Sequence, residues 1–170
     1  MEETILQMRE KWTAGDEIRD AGVIDPADVT RYEDLRYGDY PENRLDVYCP
    51  EGTAGPLPTI ISIHGGGWFY GSKQLYSHYC LRLAKRGFTV VNFDYRLAPE
   101  NKYPAPLEDC CQVLHWVKAH AEEYCIDSRN IFTVGDSAGG QLAFQLLTMM
   151  TSDAYNELFS FSPPKDLKIN

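Results

Sequence analysis

Three short runs in this chain are apolar on successive positions: Thr59-Ile60-Ile61-Ser62-Ile63, Phe88-Thr89-Val90-Val91-Asn92-Phe93 and Ile131-Phe132-Thr133-Val134. Side chains on a strand alternate between its two faces, so a run apolar throughout belongs to a strand covered on both sides. Apolar residues recur at helical spacing between and after these runs. They do so around Leu75–Lys85, then at Leu107, Cys110, Cys111, Leu114, Val117 and Ala121 within Pro104–Tyr124, then at Leu142, Ala143, Leu146, Leu147 and Met150. Strand–helix repeated three times predicts an α/β fold, a mostly parallel sheet with helices on both faces.

The segments ahead of this repeat are of another kind. Ile5, Met8, Trp12, Ile18 and Ala21 have helical spacing, interrupted at Gly15 and ended near Asp25-Pro26. One or two short helices over residues 1–29, lying on the body, are expected. The sheet domain then occupies residues 30–170. Thr30–Tyr37 and Arg44–Tyr48 are strand-like and flank the turn residues Gly38 to Asn43, which suits a hairpin. Glu51–Pro58 reads as a loop. At the far end, Leu167-Lys168-Ile169 could begin another strand.

Charge and cysteine content restrict the function. The formal net charge is -9 and the isoelectric point about 4.8. Nucleic acids and anionic membranes repel such a surface, so neither is expected as a partner. No apolar stretch approaches the ~20 residues of a membrane helix, and the N-terminus has no signal-peptide pattern. The five cysteines show no Cys-x-x-Cys spacing and read as small buried thiols, which favours a reducing, cytoplasmic setting. The sequence assigns no oligomeric state.

The chemistry concentrates in two glycine clusters. Gly135-Asp136-Ser137-Ala138-Gly139-Gly140 matches G-x-S-x-G and lies between a buried strand and a helix, the context this motif requires. A serine on a sharp turn needs neighbours without side chains. The turn exposes the Ser137 hydroxyl at the sheet's C-terminal edge, beside the N–H groups that open the next helix. The plainer alternative is a glycine-rich turn holding a chance serine. His64-Gly65-Gly66-Gly67-Trp68 follows another buried strand. Glycines let backbone N–H groups approach a substrate carbonyl, and one such donor is worth about 3–4 kcal/mol in acyl transfer. Gly65, Gly66 and Ala138 are the expected oxyanion donors; a flexible loop is the alternative. Neither cluster suits a nucleotide. Ser72 precedes Lys73 where a P-loop needs Lys-Ser, and Tyr70 stands where a dinucleotide motif needs glycine.

With Asp94–Glu100 (DYRLAPE) and Tyr103–Asp109 (YPAPLED) added, the motifs from about Leu45 to Met150 resemble the hormone-sensitive-lipase-like branch of the α/β-hydrolases. The resemblance implies hydrolysis of short-chain or aryl esters through an acyl-enzyme, with a small-molecule ester as partner and no cofactor or metal. It makes Ser137 the nucleophile and Gly65, Gly66 and Ala138 the oxyanion hole. His64 and Gly67 become shapers of the loop, and the N-terminal helices part of a substrate-covering cap. Trp68 and Tyr40 are candidate pocket residues.

The family's triad runs Ser, then Asp or Glu, then His. All four histidines, His64, His78, His115 and His120, precede Ser137. Asp136 adjoins the nucleophile, so its side chain should point away from it into a structural bond. Asp94 and Asp109 are also expected to be structural. The chain thus reads as the first portion of an incomplete hydrolase domain, with negligible turnover alone. Two alternatives remain: a non-catalytic relative that binds a small ligand or partner, and acyl transfer to an acceptor other than water.

Overall fold

The computed structural model describes residues 2–170. Its elements run α1 (Glu2–Asp20), β1 (Val29–Arg36), β2 (Arg44–Pro50), β3 (Leu57–Ile63), α2 (Lys73–Ala84), β4 (Thr89–Phe93), α3 (Ala105–Ala119), β5 (Ile126–Gly135), α4 (Ser137–Thr151) and the short α5 (Asp153–Asn156). The strands form one mixed sheet in the order β1-β2-β4-β3-β5. β1–β2 and β2–β4 pair antiparallel, whereas β3 pairs parallel with β4 on one side and β5 on the other.

The apolar runs divide by parity, as strands covered on two faces must. Leu45, Val47, Ile61, Ile63, Val91 and Phe93 face α3 and α4, where they meet Leu107, Leu114, Val117, Leu142 and Leu146. Tyr48 and Val90 face the opposite way, onto Cys80, Leu81 and Ala84 of α2. Each fully buried Leu, Ile or Phe contributes roughly 1.5–3 kcal/mol of transfer free energy, so the larger cluster is the main core. Four of the cysteines are buried in or beside these layers and Cys125 is half-buried; all five are free thiols.

Several elements differ from the sequence expectation. α1 is one helix that runs straight through Gly15 and stops at Asp20, followed by Gly22 at φ +78°. A glycine costs a helix interior only about 1 kcal/mol, less than the docking contacts of α1 described below supply. The hairpin forms as expected, with a bulge between Tyr32 and Leu35 where Asp34 takes φ +57°. α3 is shorter than its periodicity suggested, because His120 leaves helical geometry and stacks its ring on Trp116 at 4.4 Å. At the chain's end Ile169 makes an isolated parallel bridge to Ile131, and the Asn170 N–H donates to the Ile131 carbonyl at 2.8 Å. Among the described residues, no helix is long and apolar enough to cross a membrane.

A buried ion network fixes where α2 begins. The Lys73 ammonium is only 3% exposed and lies between Asp34 at 2.8 Å and Asp46 at 2.7 Å. Ser72 makes no side-chain cap; instead the Asp94 carboxylate accepts the Lys73 backbone N–H at 2.6 Å. The expected structural role of Asp94 is thus to cap α2. Asp109 is structural too, buried against Arg96.

Candidate active site

β3 and β5 are parallel neighbours in register, Ile63 opposite Gly135. The chain leaves β3 toward α2 on one face and leaves β5 into α4 on the other. Adjacent strands whose connections depart to opposite faces open a crevice at their carboxyl ends, where α/β proteins bind ligands. Both glycine clusters stand at this crevice.

The turn after β5 is tight and strained. Ser137 has φ +48°, a left-handed conformation that costs a non-glycine residue about 1–3 kcal/mol. Its glycine neighbours are sterically required. A Cβ on Gly139 would lie 2.0 Å from the Ile63 carbonyl oxygen, and one on Gly135 would lie 2.6 Å from the Gly139 carbonyl carbon. The first turn of α4 is therefore pressed onto the end of β3, directly beside the His64–Gly67 loop. Ser137 itself is exposed.

Asp136 occupies the N-cap position of α4 but makes no side-chain cap. Its carboxylate turns toward the glycine loop. Oδ1 accepts the Gly65 N–H at 3.1 Å and the Tyr76 hydroxyl at 2.7 Å. The Tyr76 oxygen also accepts the Gly65 N–H at 3.1 Å. Burial, and then the carboxylate, push the Tyr76 phenol up to about 12, so it stays protonated and donates to Asp136. Behind Asp136 its backbone carbonyl accepts the N–H groups of Gly139 and Gly140 at 2.8 and 3.2 Å.

This network revises one sequence expectation. The Gly65 N–H, proposed as an oxyanion donor, is held by two acceptors inside the protein. The free donors lie one step further along: the Gly66 and Gly67 N–H groups have no acceptor among the described residues. Ala138, in the first turn of α4 where N–H groups lack intrahelical partners, has none either. Gly66 is at φ +120° and a Cβ there would meet the Tyr70 carbonyl at 2.0 Å, so only glycine fits.

His64 is fully buried, its ring stacked on Tyr95 at 4.1 Å. Nδ1 lies 2.7 Å from the Gly65 carbonyl, which only accepts, so the proton sits on Nδ1. Nε2 is buried with no partner. Burial lowers its pKa to about 4, leaving the imidazole neutral at pH 7. The other histidines are bonded to groups outside the two glycine clusters: His78, which lines the cavity reaching Gly135 and Asp136, with Asp25, His115 with the Ser162 carbonyl, and His120 with the Trp116 carbonyl.

α1 lies across the glycine loop. Arg9 donates to the Phe69 and Ala98 carbonyls, each at 2.7 Å, and forms a bidentate pair with Glu100 at 2.9 Å. Trp12 packs on Phe69 and Tyr70 with centroids 5.0 and 5.4 Å apart, and the Tyr70 hydroxyl donates to Asp16. Between α1 and Gly65, Gly66 and Tyr76 lies a cavity of about 350 Å³. A larger one, about 630 Å³, opens between α2 and β5 and reaches Gly135 and Asp136. The smaller is the better candidate for ligand, because the free glycine amide borders it. Trp68 is 37% exposed at φ +63°, its carbonyl holding the Ala98 N–H. Tyr40 lies under the Arg96 guanidinium at 4.0 Å and is not among the residues lining either cavity. Tyr76 and Arg9 went unnoticed in the sequence, where each is one polar side chain on an amphipathic helix and nothing marks the partner it reaches.

A serine elbow and a glycine loop at one crevice of a mixed sheet define an α/β-hydrolase. The chain belongs to the BD-FAE family, whose model matches residues 45–169. It is 38% identical over 121 residues to versiconal hemiacetal acetate esterase of Dothistroma septosporum, covering 71% of this chain and 37% of that protein. It is 36% identical over 140 residues to carboxylesterase NlhH of Mycobacterium tuberculosis, covering 72% and 44%. Among solved structures, esterase B of Lactobacillus rhamnosis superposes with a TM-score of 0.91 at 31% identity, over 98% of this chain and 54% of that one. The chain thus spans about half the length of esterase B and less than half of the two sequence relatives.

Proposed function

We propose that this chain carries the nucleophile and oxyanion hole of a serine carboxylic-ester hydrolase acting on short-chain or aryl esters through an acyl-enzyme. In the complete reaction Ser137 Oγ gives its proton to a general base and bonds to the ester carbonyl carbon, the developing oxyanion is received by the N–H groups of Gly66 and Ala138 with Gly67 alongside, the bond to the alcohol oxygen breaks as that oxygen takes the proton from the base, and water then hydrolyses the acyl-enzyme. α1 and its connection, residues 1–29, serve as the cover, and residues 30–170 are the hydrolase portion. The observation that carries this reading is the strained Ser137 elbow, which Gly139 presses onto the end of β3 beside the His64–Gly67 loop. A cavity of about 350 Å³ under α1 suits small acyl or alcohol groups. In support, esterase B is described with a tributyrin phosphonate inhibitor.

A second reading rests on the histidines. Each of the four has a hydrogen-bond partner other than Ser137, and no hydrogen bond from Ser137 to a histidine is present among the described residues. Without a base a serine hydroxyl is a poor nucleophile, and losing the triad histidine costs about a million-fold in turnover. The chain alone is then a binding module with an esterase pocket. A fluorophosphonate probe with site-resolved mass spectrometry tests the catalytic reading. Oxyanion donors alone retain roughly a thousand-fold advantage over water, so slow labelling confined to Ser137, and lost in Ser137→Ala, is expected. Labelling spread evenly over the serines contradicts it.

A further inference from the structure

An aspartate at a helix N-cap ordinarily accepts N–H groups of the helix's first turn. Asp136 does not, and the group that draws it aside is Tyr76, a residue of α2 some sixty positions away in sequence. Three polar atoms close a triangle: the Tyr76 hydroxyl donates to Asp136, and the Gly65 N–H is shared between them. The tyrosine is half-buried and borders both cavities. Two consequences follow for the crevice. The Gly65 peptide is fixed in orientation, and the next two amides stay without an acceptor among the described residues. The Asp136 carboxylate, the anionic side chain next to the nucleophile, is held off the Ala138 N–H and has its charge partly met by donors.

We propose that Tyr76 is a positioning residue that keeps Asp136 from capping α4, so that the Ala138 amide stays free for the substrate oxyanion. This rests on the esterase reading given above. Removing the hydroxyl leaves the carboxylate with one weak donor. It then turns to the nearest free donor, the first turn of α4, where it both blocks the Ala138 N–H and repels an incoming negative charge.

The test uses the full chain with Tyr76→Phe, Asp136→Asn, the double variant, and Tyr79→Phe as a control, a more exposed tyrosine one turn along the same helix that makes no hydrogen bond to Asp136. Backbone amide NMR is the first readout. In Tyr76→Phe the Gly65 amide should exchange about tenfold faster and the Ala138 amide should shift downfield, as expected of a carboxylate hydrogen bond. Tyr79→Phe should move neither. The second readout is the fluorophosphonate labelling rate at Ser137. It should fall about tenfold in Tyr76→Phe but less than about twofold when Asp136 is already Asn, since a neutral amide neither repels nor competes strongly. Unchanged Gly65 and Ala138 signals in Tyr76→Phe overturn the proposal, as does an equal labelling loss in the Asp136→Asn background. If the parent chain never labels at Ser137, the esterase reading fails, while the amide signals still decide whether Tyr76 holds Asp136 off the helix.

Discussion

At the scale of single residues, the site is built from groups held in states they would not choose in water. His64 is kept neutral by burial, its pKa lowered to about 4, and Asp94 is pushed by burial up to about 6. Their effects on stability oppose each other. As pH falls from 7 to 5, an unfolded histidine takes up a proton that the folded one refuses, so the stability held at neutral pH is lost, by about 2 kcal/mol. Over the same window the folded Asp94 takes up a proton that the unfolded one refuses, and stability is gained. The two nearly cancel. Asp94→Asn removes the compensating group and should lose about 2 kcal/mol between pH 7 and pH 5, against about 0.5 kcal/mol for the parent. Urea unfolding at both pH values measures this, and equal losses would rule out the opposition. Little of it was legible in the sequence. Ser137 was visible because flanking glycines signal a turn that only they permit. The diverted carboxylate of Asp136, and with it the loss of Gly65 as a donor, depends on a tyrosine brought in by another element.

At the scale of elements, the strands were the most legible part. Runs apolar on both parities suit strands covered on both faces, and β3 and β4 are central and largely buried; β5 departs from this, being an edge strand on which Ile131 is the buried residue of the apolar run and Phe132 is exposed. α1 was less legible because Gly15 reads as a break. What overrides it is tertiary: Arg9, Trp12 and Asp16 grip the 68–70 loop and the 98–100 segment on either side of any kink. A Cβ at Gly15 would meet nothing within 4 Å. Gly15→Ala should therefore raise stability by about 0.5–1 kcal/mol, seen as a higher melting temperature with an unchanged circular dichroism spectrum. A destabilised variant would show that the helix is in fact broken there. The Lys73 network was invisible from sequence, because Asp34, Asp46, Lys73 and Asp94 come from four separate segments that only the sheet brings together.

At the scale of the whole molecule, the sheet has two outer strands, β1 and β5. Among the described residues the outer edge of β5 is met by the Ile169 bridge alone, and Phe132 there is 38% exposed. Unpaired apolar edges promote association. Phe132→Lys should reduce light scattering at high protein concentration while leaving the unfolding midpoint within about 1 kcal/mol of the parent; unchanged scattering would place the association surface elsewhere. Ser137 follows β5 at this edge and is exposed. The chain on its own should hydrolyse p-nitrophenyl esters negligibly.

The most direct measurement is a crystal structure of the chain with a phosphonate adduct on Ser137. The expected result is a phosphoryl oxygen about 3 Å from the N–H groups of both Gly66 and Ala138, with the Gly65 N–H still on Asp136. A phosphoryl oxygen turned to solvent, with those amides bonded to water or to the protein, would contradict it.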